Sequence, residues 1–546
     1  MTRFRGVGAV VLALAALLGL DVARATTGGK PFFGSTRPPS KNILTYNNGA
    51  EPEVVDPGLS VGQPDGNICR IQWEGLTVEH PSTLQPLPGI AERWDITPDG
   101  LTYTFHLRKA QWSDGHPVTA GDFLWSWQRV LTASNTARYA GLLYYIRNAE
   151  GFHKGTIADF DSVGIHAPDD STLIVTLENP TPYFLSLTCF YTYMPAPRWC
   201  VEKFGARWSR PENVVVNGPY KCTFWRPTNR FDFVRNETYW DAANVKLDGI
   251  RAYSVDDLST CLNLYKAGTT DWNPSGYLPA QFLPYVKDMA DFHYAPYLAV
   301  YFYSFNVTDP LMKNVWLRKA LCYSVDREAI CRQLFKGMKI PHGNFVAQGF
   351  AGYPYPAPQR FDPAFARECL AKAGYPGGQG LPRIEIMFNT SEDHRKIAEI
   401  IQAMWKENLG IDVGLSNQEW GSYLRNTTSL NYQVVRRSWI GDYADPATFL
   451  DCYKKGDGNN RTGWSSATYD SLLVEASRTF DPVARYAVLA RAEAILLDEC
   501  PVLPIYNYTL TELKKPYVKG VEPNLTDTHN LKFAWIDRNW EHARNP

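Results

Sequence analysis

The chain has almost no net charge: 55 Lys and Arg against 56 Asp and Glu leave −1 at pH 7. Its basic residues are scattered, which argues against nucleic acid as a partner and against electrostatic docking on a membrane. There is no H-E-x-x-H, no paired C-x-x-C and no Walker-type glycine loop. Metal and nucleotide sites therefore have no support, and no cofactor is expected. There is no G-x-S-x-G nucleophile turn. Beyond Ala25 no apolar run reaches the roughly 18 residues of a membrane span. Repeats and low-complexity tracts are absent too, and Gly28 to Ser40 is the one linker-like stretch.

Residues Met1 to Ala25 have the layout of an export signal. Arg3 and Arg5 make a positive start, Val7 to Leu20 an apolar centre, and Ala23-Arg24-Ala25 a small-x-small cleavage site. With cleavage near Ala25, the mature chain is expected to be a soluble monomer in the periplasm. About 520 remaining residues exceed one typical domain. All ten cysteines lie beyond the cleavage site, at wide spacings. Their even number in an exported chain permits disulfides without revealing a connectivity, and buried free thiols are the alternative. Aromatics make up 14% of the chain, with 17 Trp. A large core absorbs many of them, and aromatic-lined clefts would take some of the rest.

Helix signals are plain. Asp362-Pro363 supplies an N-cap with Pro at the first helical position, and Gly374 closes that helix. Asp481-Pro482 does the same for Val483 to Glu499, where Tyr486, Leu489, Glu493 and Leu496 share a face. Ser391 is placed to cap a helix from Glu392 to Leu409, with Gly410 at its end. Strands are expected at Arg383 to Phe388, Asp412 to Leu415 and Tyr432 to Arg436. Alternation of helix and strand indicates an α/β architecture.

The stretch AERWDITPDGLTYTFHLRKAQWSDGHPVTAGDFLWSWQR, Ala91 to Arg129, is the most specific in the chain. It contains an alternating strand, Thr102 to Leu107, then a Ser-Asp-Gly turn and the start of an aromatic helix. As a string it resembles the signature of solute-binding proteins of ABC importers, the oligopeptide/dipeptide/nickel group. The resemblance covers nearly the whole mature chain. It implies two lobes about a hinge, with an extra domain inserted in lobe one. Lobe one would comprise 26–73, 199–298 and 510–546, the inserted domain 74–198, and lobe two 299–509. Crossings near 298 and 510 would form the hinge.

The same resemblance assigns a site for short peptides, which a membrane permease would then receive. In QVVRRSWIGDYADPATFL, Gln433 to Leu450, Asp442 matches an aspartate that pairs with the peptide's α-ammonium. An ammonium entering a closed cleft loses its water and needs a fixed countercharge. Taken alone, an Asp in this loop is more often a cap for the following helix. Trp439 and, in Asn417-Gln418-Glu419-Trp420, Trp420 would border side-chain pockets. Tyr139 matches a tyrosine near the amine and Tyr508 another cleft tyrosine, although any one aromatic is as readily core. At the carboxylate end the resemblance points to Arg436 and to His394, the latter in the first turn of a helix.

Departures are visible. Relatives have a lysine near the place of Phe335-Lys336. Some also carry a hinge disulfide, whose matching positions here are Ala299 and Ile440. A dipeptide, a cell-wall peptide or another solute remains an alternative ligand. A secreted hydrolase is the remote alternative, with Asp442 and Asp445 or Asp256 and Asp257 as its carboxylates. Nothing in the sequence, however, groups a base, a nucleophile and an oxyanion hole, so no catalytic residue is assigned.

Overall fold

The computed structural model describes residues 30–279 and 282–541, and of residues 420–421 the backbone alone. The expected signal segment 1–25 lies outside the described residues. None of the helices described is long and apolar enough to cross a membrane.

One large mixed sheet organises the molecule. At one end Ile43–Asn47 pairs in parallel with Gly249–Tyr253, and the hairpin Tyr220–Arg226 and Arg230–Arg235 extends that edge. At the other end Ile384–Asn389 pairs in parallel with Val413–Gln418 and Val434–Ile440. Helices Glu392–Leu409 and Trp420–Thr428 make the crossovers, as parallel neighbours require. Two long antiparallel strands, Phe292–Phe305 and Val502–Lys514, join the ends. The later part of Phe292–Phe305 pairs with Val434–Ile440, and Val502–Lys514 reaches Trp272–Asn273. Their mutual register shifts between Pro296 and Val300, where proline has no N–H for the ladder. A separate four-stranded antiparallel sheet is built from Ala91–Ile96, Thr102–Leu107, Ile165–Asp169 and Thr172–Thr176.

Local sequence explains the frame. Thr102–Leu107 buries Tyr103, Phe105 and Leu107 and turns Thr102, Thr104 and His106 outward, the period of a half-buried strand. Thr119 and Asp122 form a capping box that starts Ala120–Leu131. Asp362 accepts from the Phe365 N–H at 3.1 Å, and Asp481 from the Ala484 N–H at 2.8 Å. Gly410, at φ +73°, ends Glu392–Leu409 by donating its N–H to Lys406 O. Ser391 occupies the N-cap position of that helix, but its side chain makes no capping hydrogen bond. The main apolar cluster on the Ile384–Asn389 side packs Ile397, Ile401 and Trp405 of this helix against Ile384, Ile386 and Tyr303.

Candidate ligand-binding cleft

Beyond Val434–Ile440 the chain enters a loop held from several sides. The Gly441 N–H donates to Leu298 O at 2.8 Å. A Cβ at Gly441 would stand 2.7 Å from Leu298 Cδ2 and 2.8 Å from Thr448 Cγ2, so only glycine lets the loop approach the strand this closely. The Asp442 N–H donates to Thr448 Oγ1 at 2.9 Å. Tyr443 stacks on Tyr183, with ring centroids 4.2 Å apart and planes 10° apart. Asp445 takes both ends of the buried Arg485 guanidinium and accepts the Ala447 N–H at 2.9 Å. It is thus Asp445, not Asp442, that accepts the first N–H of the short helix Ala447–Leu450, whose N-cap is Pro446.

This leaves the Asp442 carboxylate with no hydrogen bond or ion pair among the described residues. It lines a cavity of about 280 Å³ together with Tyr139, Arg70, Glu79 and Tyr191. The residue is exposed at the cleft, yet the protein around its carboxyl desolvates it enough to raise its pKa. Tyr139 sits in the same wall and donates its hydroxyl to Val61 O at 3.3 Å. Trp439 borders a neighbouring cavity, also reached by Asp442, with Tyr145 and Tyr183. Its indole N–H is buried without a partner.

The second group of expected residues gathers around Arg436, earlier on the same strand. Because side chains alternate along a strand, Arg436 and Trp439 project to opposite faces. Arg436 is 8% exposed and has no carboxylate partner among the described residues. Its guanidinium lies 4.7 Å from the Tyr301 ring centroid and reaches Tyr508 Oη and Asn389 Oδ1, both at 3.3 Å. Its Nε is buried without an acceptor. The Tyr301 hydroxyl lies 3.3 Å from His394 Nδ1. Burial and the Arg436 charge lower the His394 pKa to about 4, so this imidazole is neutral at pH 7. The structure thus brings Arg436, His394 and Tyr508 together around Tyr301, and Asp442, Tyr139 and Trp439 around the 441–443 loop. Trp420 begins its helix, and its side chain lies outside the described residues.

Several side chains escaped the sequence reading. Tyr301, in the buried part of Phe292–Phe305, was not singled out in the sequence. At Phe335-Lys336, Phe335 packs against Tyr506 and Lys336 is an exposed helix C-cap with φ +50°. The lysine that joins Arg436 at these tyrosines is Lys339, whose Nζ lies 5.1 Å from the Tyr508 ring centroid. Burial lowers its pKa. Ala299 and Ile440 stand directly opposite each other in the ladder, a position without a thiol on either side.

A cleft on a mixed sheet, lined by polar side chains left without partners among the described residues, fits a ligand-binding protein. The chain belongs to the bacterial extracellular solute-binding proteins, family 5, whose model matches residues 85–461. Among characterised relatives it is 38% identical over 494 residues to the oligopeptide-binding protein OppA of Bacillus subtilis, covering 88% of this chain and 90% of that one. Among solved structures, an unliganded open form of the periplasmic murein tripeptide-binding protein MppA superposes with a TM-score of 0.84 at 32% identity, covering 91% and 98% of the two chains. OppA of Haemophilus influenzae in complex with RPPGFSPFR superposes with 0.67 at 33% identity, covering 91% and 99%.

Proposed function

We propose that this chain is the substrate-binding component of a peptide ABC importer: it captures short oligopeptides in a closing cleft and delivers them to a membrane permease. It acts as an exported, periplasmic monomer whose signal segment ends near Ala25, and it performs no covalent chemistry. Asp442 holds the ligand α-ammonium, and Tyr139, Trp439, Trp420 and Tyr508 wall the cleft. Arg436 and His394 meet the carboxylate at the other end. The two lobes, 26–73 with 199–298 and 510–546, and 299–509, close about the crossings near 298 and 510. The inserted domain is 74–198.

The observation that carries this reading is the Asp442 carboxylate, left unpaired in a loop whose structural duties fall to its neighbours. A buried arginine without an anion lies further along the same strand. At a strand rise of 3.3 Å, the chain from Arg436 to Asp442 covers at most roughly 20 Å, about the end-to-end span of a short extended peptide. The backbone of such a ligand can pair with strand-like cleft walls, which gives affinity without reading every side chain. The better fit to an unliganded open relative than to a peptide-loaded one, at similar coverage and identity, supports an open cleft. The acid pairs of the hydrolase alternative are committed elsewhere: Asp445 to Arg485, and Asp257 to the Thr260 N–H at 2.7 Å.

The test is calorimetry with free and N-acetylated tripeptides, paired with mass spectrometry of ligand co-purified with the native protein. Free peptides should bind intact and acetylated ones should not, because acetylation removes the ammonium and leaves a desolvated carboxylate unpaired. Equal affinity for the two forms would remove Asp442 from the site. Cleavage of the peptide would return the protein to the enzymes.

A further inference from the structure

The cavity that holds Asp442 continues to two ionisable side chains that the reading above leaves without a task. Arg70, in the last turn of Gln63–Gln72, is 7% exposed. It has neither a hydrogen bond nor an ion pair among the described residues. Its Nε is buried without a partner, and its guanidinium rests against the rings of Tyr191 and Phe190, at 5.2 and 5.7 Å from their centroids. The carboxylate of Glu79, a half-buried residue at the end of Thr77–Glu79, takes no hydrogen bond from any other described residue. Burial raises its pKa and the charge of Arg70 opposes that rise. Both side chains line the cavity with Asp442, yet they form no ion pair with each other.

A guanidinium removed from water needs an acceptor, and aromatic faces meet only part of that need. A carboxylate removed from water needs a donor. The fixed charges here are Arg70, Glu79 and Asp442, one positive and two negative, and a ligand ammonium brings the sum to zero. A cationic side chain entering next to that ammonium would face Arg70, and an anionic one would face Glu79. A primary carboxamide is neutral and carries an acceptor and a donor on one carbon. The side chain at issue is that of the first residue, because its Cα bears the ammonium that Asp442 anchors.

We propose that the Arg70–Glu79 end of the cavity is the pocket for the first side chain of the peptide and selects a carboxamide, Gln or Asn, whose oxygen accepts from Arg70 and whose NH2 donates to Glu79. This rests on the ammonium role of Asp442. Calorimetric titration of the intact protein with Gln-Ala-Ala, Ala-Ala-Ala, Glu-Ala-Ala and Lys-Ala-Ala tests it. Gln-Ala-Ala should bind about ten-fold more tightly than Ala-Ala-Ala, and both charged peptides should bind more weakly than Gln-Ala-Ala. Arg70→Met should bring the ratio of Ala-Ala-Ala to Gln-Ala-Ala dissociation constants close to one. Glu79→Gln, which keeps shape and removes charge, should improve Glu-Ala-Ala relative to Ala-Ala-Ala, and thermal melts of each variant confirm that it is folded. Equal binding of Gln-Ala-Ala and Ala-Ala-Ala, or a ratio untouched by Arg70→Met, overturns the pocket while leaving Asp442 in place. Failure of every tripeptide to bind overturns the ammonium reading and the pocket together.

Discussion

Asp442 is held in a loop that would stand without it. Thr448 ties down its backbone N–H, and Asp445 accepts the first N–H of the following helix. Asp442→Asn should therefore lower peptide affinity by two to three orders of magnitude, about 3–4 kcal/mol. The thermal midpoint of the empty protein should be unchanged or slightly raised, measured by calorimetry of both. Retained affinity would make the residue scaffold. Its pH dependence follows from the raised pKa. In the empty protein the folded state binds this proton more tightly than the unfolded chain does. The contribution of the carboxyl to stability is thus present at low pH and lost as pH rises through the folded pKa. Binding runs the other way: it needs the carboxylate, so affinity should be flat near neutrality. It should fall about ten-fold per unit once pH drops below that pKa, with release of one proton on binding. His394 has the opposite perturbation. With a folded pKa of about 4, its stabilising contribution is present above the unfolded value near 6.5 and is lost as pH falls toward 4. A ligand carboxylate beside it should raise that pKa, which NMR titration of the imidazole would detect. The rise should be larger for peptides whose length brings the carboxylate to His394, and absence of any shift across di- to pentapeptides would assign the ring to the Tyr301 cluster alone.

At the scale of elements, what was legible followed local rules. Glu392–Leu409 could be read at both ends because helical periodicity and the Gly410 stop are properties of the segment itself. Val434–Ile440 was read only as far as Arg436, because a strand with buried arginines at 436 and 437 does not alternate as a sequence pattern requires. The choice between cap and ligand for Asp442 could not be made locally either, since it turns on Arg485, which is distant in sequence. Glu493 is a third case. The sequence placed it on the apolar face of its helix with Leu489 and Leu496, and the structure buries it completely. It accepts the Phe345 and Val346 N–H groups at 2.8 Å each and the Tyr353 hydroxyl at 2.9 Å. Burial outweighs these bonds and lifts its pKa to about 7. Glu493→Leu keeps the hydrophobic pattern but strands two buried N–H groups, and should cost about 2–4 kcal/mol in denaturant unfolding. A loss near zero would mean that the 345–346 segment finds other acceptors.

At the scale of the whole molecule, the register break at Pro296 to Val300 lies beside the proposed crossing near 298, where the proposed closure would bend the sheet. Saturating peptide should reduce the radius of gyration in small-angle scattering and shift tryptophan emission, Trp439 being the natural reporter. An unchanged radius would contradict closure. The fold class was within reach of the sequence, whereas the placement of Arg436 and Trp439 on opposite faces of one strand was not. The long strands have a further consequence for how the chain can be divided. Phe292–Phe305 and Val502–Lys514 each serve both ends of the sheet, so no single cut releases either end as a self-sufficient piece. A gene fragment stopping before residue 502 would leave Trp272 without Lys514 and present a raw, pairing-hungry edge to its neighbours. A protease nick at the exposed Lys455–Gly456 turn, by contrast, would yield two polypeptides still sewn together along the ladder. They would run as one particle on gel filtration and separate only in denaturant.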